Sequence, residues 1–124
     1  MGDKAISIKA AATSPRKFAV LTVHAFRCRY CGKPATEIDH IVPQARGGAD
    51  VIENMTACCS DCNCSKSSHR LPAEAERELL EEAVIHAPFV RELITTMKQS
   101  ASAAKARQRA MAPWKCLNIA TSQH

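Results

Sequence analysis

Aromatic side chains are scarce in this sequence: Phe18, Phe26, Tyr30, Phe89 and Trp114 are all that its 124 residues hold. A core so short of large rings is modest, and a small domain built on one gains from a metal staple. No apolar run approaches the length needed to cross a membrane, so no membrane partner is expected. Met1 to Ser14 is mixed and charged rather than a secretory hydrophobic region. No internal repeat is found. Acidic residues are missing from one end and nearly so from the other: residues 98–124 carry five Lys/Arg and no acid, and residues 1–36 carry seven against Asp3 alone. These absences predict one domain, or a small domain with appendages, in a reducing, cytoplasmic compartment.

What is present is unevenly spread. The net charge is +5, yet residues 72–94 are acidic, with Glu74, Glu76, Glu78, Glu81, Glu82 and Glu92 against Arg77 and Arg91. Basic ends suit a polyanion such as nucleic acid; charge alone supports solvated termini equally well.

Along the chain, residues 1–17 form a basic, loosely patterned segment in which Thr13-Ser14-Pro15 reads as a turn. Phe18 to Val23 is apolar and β-branched, and is either a strand or a short helix. Thr36 to Pro43 is β-like, Gln44 to Asp50 is a loop tipped by Gly47-Gly48, and Val51 to Ala57 returns as a second strand. A short helix follows, started by Ser60 or Asp61 and ended before Leu71-Pro72. Residues 73–86 make an amphipathic helix with Leu79, Leu80, Ala83, Val84 and Ala87 on one face. Pro88 predicts a break and a second helix, whose stripe is Val90, Leu93, Ile94, Met97 and Ala101. Residues 72–110 are thus a helical extension and 111–124 a tail. Both stripes read as packing or partner contact, not chemistry.

Seven cysteines in a reducing setting point to metal rather than disulfides. Cys28, Cys31, Cys59 and Cys62 give C-x2-C-x27-C-x2-C, two short knuckles that together offer the four soft ligands of tetrahedral zinc. Structural zinc contributes about 10–16 kcal/mol of apparent binding energy in small modules, which can exceed a domain's stability. Cys58 and Cys64 lie beside the second pair, but only Cys59 and Cys62 repeat the two-residue gap of the first. Cys58, Cys64 and Cys116 are expected to be unligated.

Between the knuckles lie Glu37-Ile38-Asp39-His40-Ile41-Val42-Pro43, Gly47-Gly48 and Asn54, with Asn63 and Lys66 after Cys62. A zinc ribbon alone has no use for these. Over Cys28 to about His69 the sequence resembles an HNH endonuclease domain of the ββα-metal (His-Me finger) class, in a form with Asn63 where the family name has its last histidine. The resemblance implies a zinc-stapled ββα-metal finger, placed here over 18–71; with the two α-helices read from the stripes that follow, the fold class is α+β. It implies His40 as general base, a role suited to an imidazole titrating near neutrality. It implies Asp39 and Asn63 as oxygen ligands for catalytic Mg²⁺ or Mn²⁺, and Asn54 holding His40 in orientation and tautomer. Lys66 lies three residues after Asn63, on the same helix face, and is expected to touch phosphate. Asp39 and His40 are strand neighbours whose side chains point to opposite sides, so both reach one site only where the strand twists or ends. Arg46, Lys66, His69 and Arg70 are candidate contacts to nucleic acid; His69 and Arg70 are as easily a charge pair at a helix C-terminus.

The sequence therefore predicts a metal-dependent endonuclease acting on DNA, expected to be double-stranded, with zinc as structural and Mg²⁺ or Mn²⁺ as catalytic cofactor. The alternative is a zinc-dependent nucleic-acid-binding module without catalysis.

Overall fold

Pro15 sits in the first turn of a helix and Ser14 caps it, its hydroxyl accepting from the Lys17 amide at 3.2 Å. These choices settle the open reading of the Phe18 stretch: Pro15–Val23 is a helix, α1. This is seen in a computed structural model describing the backbone of residues 14–122 and the side chains of residues 14–111. The loosely ordered segment expected before Pro15 and the side chain of Cys116 fall outside these. α1 buries Ala19, Val20 and Leu21. It ends at His24, after which Ala25 and Phe26 both take positive φ, 55° and 56°. Such backbone costs a non-glycine residue about 1–2 kcal/mol. The Phe26 amide bonds the Leu21 carbonyl at 2.8 Å, and its ring meets Phe18 with centroids 5.7 Å apart. The turn aims the chain into Cys28.

The strands are shorter than expected. β1 (Glu37–His40) and β2 (Met55–Cys58) pair antiparallel, with Asp39 opposite Thr56 and His40 opposite Met55. The connection is tighter than a plain loop. Gln44–Arg46 and Ile52–Asn54 are single 3₁₀ turns, and Gly47 closes the first at φ 92°. All four residues of β2 are buried, and α1 packs on both strands. Leu21, Cys28, Ala35, Ala57 and Cys58 make one core cluster.

α2 (Ser60–Lys66) is capped by Cys59, not by Ser60 or Asp61: the Cys59 sulfur accepts from the Cys62 amide at 3.4 Å. It ends earlier than the Leu71-Pro72 signal implied, where Ser67 turns to φ 48°.

α3 runs Ala73–Ser122. Its start agrees with the sequence reading, but the expected break does not occur: the two helices are one, continuous through Pro88. Proline removes one helical N–H and crowds the preceding turn, while Ala83, Ala87 and Val90, buried on either side of it, hold the axis. The backbone also remains helical past the tail boundary expected at residue 111, on a sequence rich in Ala, Lys, Arg and Gln. Glu76, Leu79, Ala83, Ala87 and Val90 are buried, with Leu79 and Ala83 against Ile41, whereas Val84, assigned to the same stripe, is 56% exposed. The chain divides into two units, Met1–Ile94 and Thr95–His124. Every site described below lies in the first. The architecture is α+β, a two-stranded sheet with helices around a four-cysteine cluster.

Candidate active site and metal centre

The two knuckles converge. The sulfurs of Cys28, Cys31, Cys59 and Cys62 all lie within 4.8 Å of one another, and Cys31 Sγ is 3.6 Å from Cys59 Sγ. Four thiolates at about 2.3 Å from a tetrahedral ion stand about 3.8 Å apart, so the cluster has the dimensions of a metal site, and its all-sulfur donors point to zinc. Burial pushes the Cys28 thiol up, but hydrogen bonds from the Cys59, Cys31 and Tyr30 amides outweigh it and bring it down to about 7, the direction that favours a ligating thiolate. Cys62 is pushed up to about 12 by hydrogen bonding with Cys31 and Cys59. Cys58 belongs to the core, and burial raises its thiol. Cys64 is exposed. The sulfurs that cluster are those of the two Cys-x-x-Cys pairs.

β1 carries the next two residues in opposite directions. Asp39 is 8% exposed. Its Oδ2 accepts from the Tyr30 hydroxyl at 2.7 Å and pairs with Lys66 Nζ at 3.0 Å. Lys66 Nζ also donates to the His40 carbonyl at 3.1 Å, tying α2 to β1. The ammonium expected to face phosphate is thus buried against the carboxylate. Asn63 lies one turn earlier on α2, on the face from which Lys66 reaches Asp39. Opposite Asp39 on β2, the Thr56 hydroxyl is the one buried side-chain polar atom without a hydrogen-bond partner among the described residues.

His40 turns to the loop. Its Nε2 lies 2.9 Å from Asp50 Oδ1, which also pairs with Arg16 at 3.3 Å. The hydrogen bond from His40, then the Arg16 charge, holds the Asp50 carboxyl below the usual carboxylate range. An ionised carboxylate only accepts, so Nε2 is the nitrogen that donates to it, and in the neutral ring the basic nitrogen is Nδ1. The side chain is 25% exposed, within reach of water.

Asn54 does not touch the His40 ring. Its amide nitrogen donates to the carbonyls of Val42 (3.0 Å) and Ala49 (2.9 Å), and its oxygen accepts from the Val42 amide at 2.9 Å. Both ends of the loop bearing Asp50 are thereby fixed. Gly48 completes the loop: a Cβ there would stand 1.8 Å from the Val42 carbonyl oxygen. The expected role of Asn54 is corrected accordingly. Its side-chain hydrogen bonds go to the loop that carries Asp50, not to the His40 ring.

Residues 28–80 match the HNH endonuclease family. The match covers less than half of the chain and coincides with the resemblance seen in the sequence. A curated relative, the CRISPR-associated endonuclease Cas9 of Corynebacterium diphtheriae, is 47% identical over 47 residues, which are 34% of this chain and 4% of that protein. The chain thus spans only a small part of that relative. No solved structure matches. A nuclease function is what the HNH match supports.

Within the HNH segment, sequence reasoning missed Asp50 and Tyr30. Asp50 sat at the end of a loop with nothing in its spacing to mark it, and only the close approach at Gly48 brings it to His40. Tyr30 was visible as the ring inside the first knuckle, but its partner was not; burial first, then the hydrogen bond to Asp39, raises its phenol. The four candidate contacts to nucleic acid are scattered in use. Arg46 is exposed and donates to the Ser68 carbonyl at 3.1 Å. His69 Nδ1 lies 3.1 Å from the Lys66 carbonyl. Arg70 forks onto buried Glu76, with bonds of 2.9 and 3.1 Å, and Lys66 is internal.

Proposed function

We propose that this protein is a metal-dependent endonuclease that hydrolyses phosphodiester bonds in DNA, double-stranded DNA being the expected substrate, and leaves 5′-phosphate and 3′-hydroxyl ends. The observation that carries the reading is the His40–Asp50 bond inside the HNH match: a partly exposed imidazole whose Nε2 meets a carboxylate, an arrangement that makes Nδ1 of the neutral ring the proton acceptor. His40 takes that proton from the attacking water. Asp50 orients the ring and stabilises its charged form, and Asn54 and Gly48 hold Asp50 in place. A positioned base supplies about 10²–10⁴ in rate, far below what phosphodiester hydrolysis needs.

The remainder calls for charge stabilisation at the phosphate. Asp39, with Asn63 on the facing helix, offers the oxygen donors that Mg²⁺ or Mn²⁺ takes. Such an ion binds through one or two protein oxygens and completes its shell with water and substrate, so this sparse donor set fits it. When bound, it would stabilise the charge developing on the phosphate. Lys66 stands at Asp39 as counter-charge and, once displaced, is placed to meet phosphate. The four cysteines hold structural zinc, and a reducing cytoplasm keeps them from pairing as disulfides.

The second reading, a zinc-dependent nucleic-acid-binding module, draws on the same Lys66–Asp39 pair, which leaves Asp39 already neutralised. Plasmid nicking with Mg²⁺ or Mn²⁺ separates the two. His40→Ala and Asp39→Asn should each lower the rate at least about 100-fold with zinc content unchanged. Equal cutting by zinc-loaded His40→Ala removes His40 from the mechanism, and no cutting by the wild type with either ion favours the binding module.

A further inference from the structure

Away from β1, three metal-ligating side chains that the nuclease reading does not use meet beside the first knuckle. His24 stands at the C-terminal end of α1. Glu82 and His86 lie four residues apart on α3 and so share a face. Their ligand atoms all fall within 4.8 Å of one another. His24 Nδ1 is 3.9 Å from Glu82 Oε1, and the two imidazoles stand edge to face with centroids 5.1 Å apart.

The surroundings suit a cation. The His24 side chain is 5% exposed, and among the described residues neither histidine ring has a hydrogen-bond partner. Arg29 grips Glu82 through both carboxylate oxygens, at 2.8 and 3.0 Å. Each oxygen retains a further acceptor position, and an outer partner of this kind orients a ligating carboxylate.

We propose that His24, Glu82 and His86 form a second metal site, separate from the four cysteines, which takes zinc or another divalent first-row transition ion. Nitrogen and oxygen ligands at about 2.0–2.2 Å from a tetrahedral ion stand about 3.3–3.5 Å apart, so the 3.9 Å separation closes with a sub-ångström movement of either side chain. Two imidazoles and one carboxylate select zinc, cobalt, nickel or copper over Mg²⁺. Three protein ligands leave a fourth position for water or an external ligand. The ion would tie the end of α1 to α3, beside the turn that feeds Cys28.

The competing account is an Arg29–Glu82 ion pair with two histidines packed beside it. Metal content of the full chain, loaded with zinc and then desalted, decides between them. We expect about two ions per chain in the wild type and about one in His86→Ala and in His24→Asn. After cobalt substitution, the sulfur-to-metal charge-transfer band should persist in both variants and report an intact four-cysteine centre. His24→Asn alters a buried position, so His86→Ala is the deciding variant. A wild type holding a single ion with only sulfur ligation overturns the proposal, as does His86→Ala retaining both ions. A wild type that binds one ion and lacks the sulfur band supports this site while removing the four-cysteine one.

Discussion

Lys66 is the side chain whose loss should be felt most for the least change in shape. Its ammonium lies 3.0 Å from Asp39 Oδ2, with the two side chains 7% and 9% exposed. At that distance and an effective dielectric constant of about 20 the attraction is about 5–6 kcal/mol. Desolvation costs several kcal/mol per ion, so the intact pair contributes little net stability. Removing one partner is different: Lys66→Met keeps the stem but leaves a buried carboxylate whose remaining support is the Tyr30 hydroxyl. The expected loss is about 3 kcal/mol, the lower end of the range for a broken buried pair because Tyr30 stays, and it is a large share of a domain stability of about 5–15 kcal/mol. Urea denaturation of the zinc-loaded wild type, Lys66→Met, Asp39→Asn and the double variant completes the cycle. A coupling of about 2 kcal/mol is expected, because in the double variant no charge is stranded. Millimolar Mg²⁺ should raise the midpoint of Lys66→Met but not of the double variant, if a divalent ion takes the ammonium's place. Additivity within about 0.5 kcal/mol, or a Lys66→Met midpoint equal to wild type, would refute this account of Asp39.

Four further outcomes follow from the loop and the knuckles. Asn54→Ala removes three hydrogen bonds to backbone and should lower stability by about 3 kcal/mol, with nicking reduced although Asn54 touches no substrate; a fully active, equally stable variant would contradict the role given to it. Gly48→Ala drives a methyl into the Val42 carbonyl and should displace Asp50 from His40, read as loss of the His40–Asp50 bond by nitrogen NMR. Asp50, whose carboxyl is lowered first by the His40 bond and then by Arg16, should titrate below the usual carboxylate value of about 3.9. The stabilisation it gives is thus present above that value and lost as pH falls through the folded one; in His40→Ala its NMR titration should move back up. Cys59→Ala removes both a sulfur of the four-cysteine cluster and the cap of α2, and circular dichroism should show loss of helix together with loss of bound metal.

Much of this site could be read from the chain. The repeated two-residue gap singled out four of the cysteines, and the Asp39-His40 pair fell on a strand because Ile38, Ile41 and Val42 are β-branched and Pro43 stops it. What escaped was long-range partnership. Lys66, three residues after Asn63, looked like a phosphate contact, because sequence spacing shows which helix face a lysine occupies but not that a carboxylate lies buried beneath it. Asn54 was assigned to His40 on the family resemblance; its side-chain partners are backbone groups, which carry no sequence signal. Pro88 misled for a related reason: its local cost is visible, while the burial of Ala87 and Val90 that overrides it is a tertiary fact.

The Cys59 sulfur lies at once in the four-cysteine cluster and on the Cys62 amide, one of the free N–H groups of α2's first turn. A seven-residue helix standing alone in water would be mostly coil, since its opening turn fixes several dihedrals for a single bond. Here the knuckle supplies that opening turn ready-made. An ion held by the four sulfurs would therefore also brace the opening turn of the helix that carries Asn63 and Lys66.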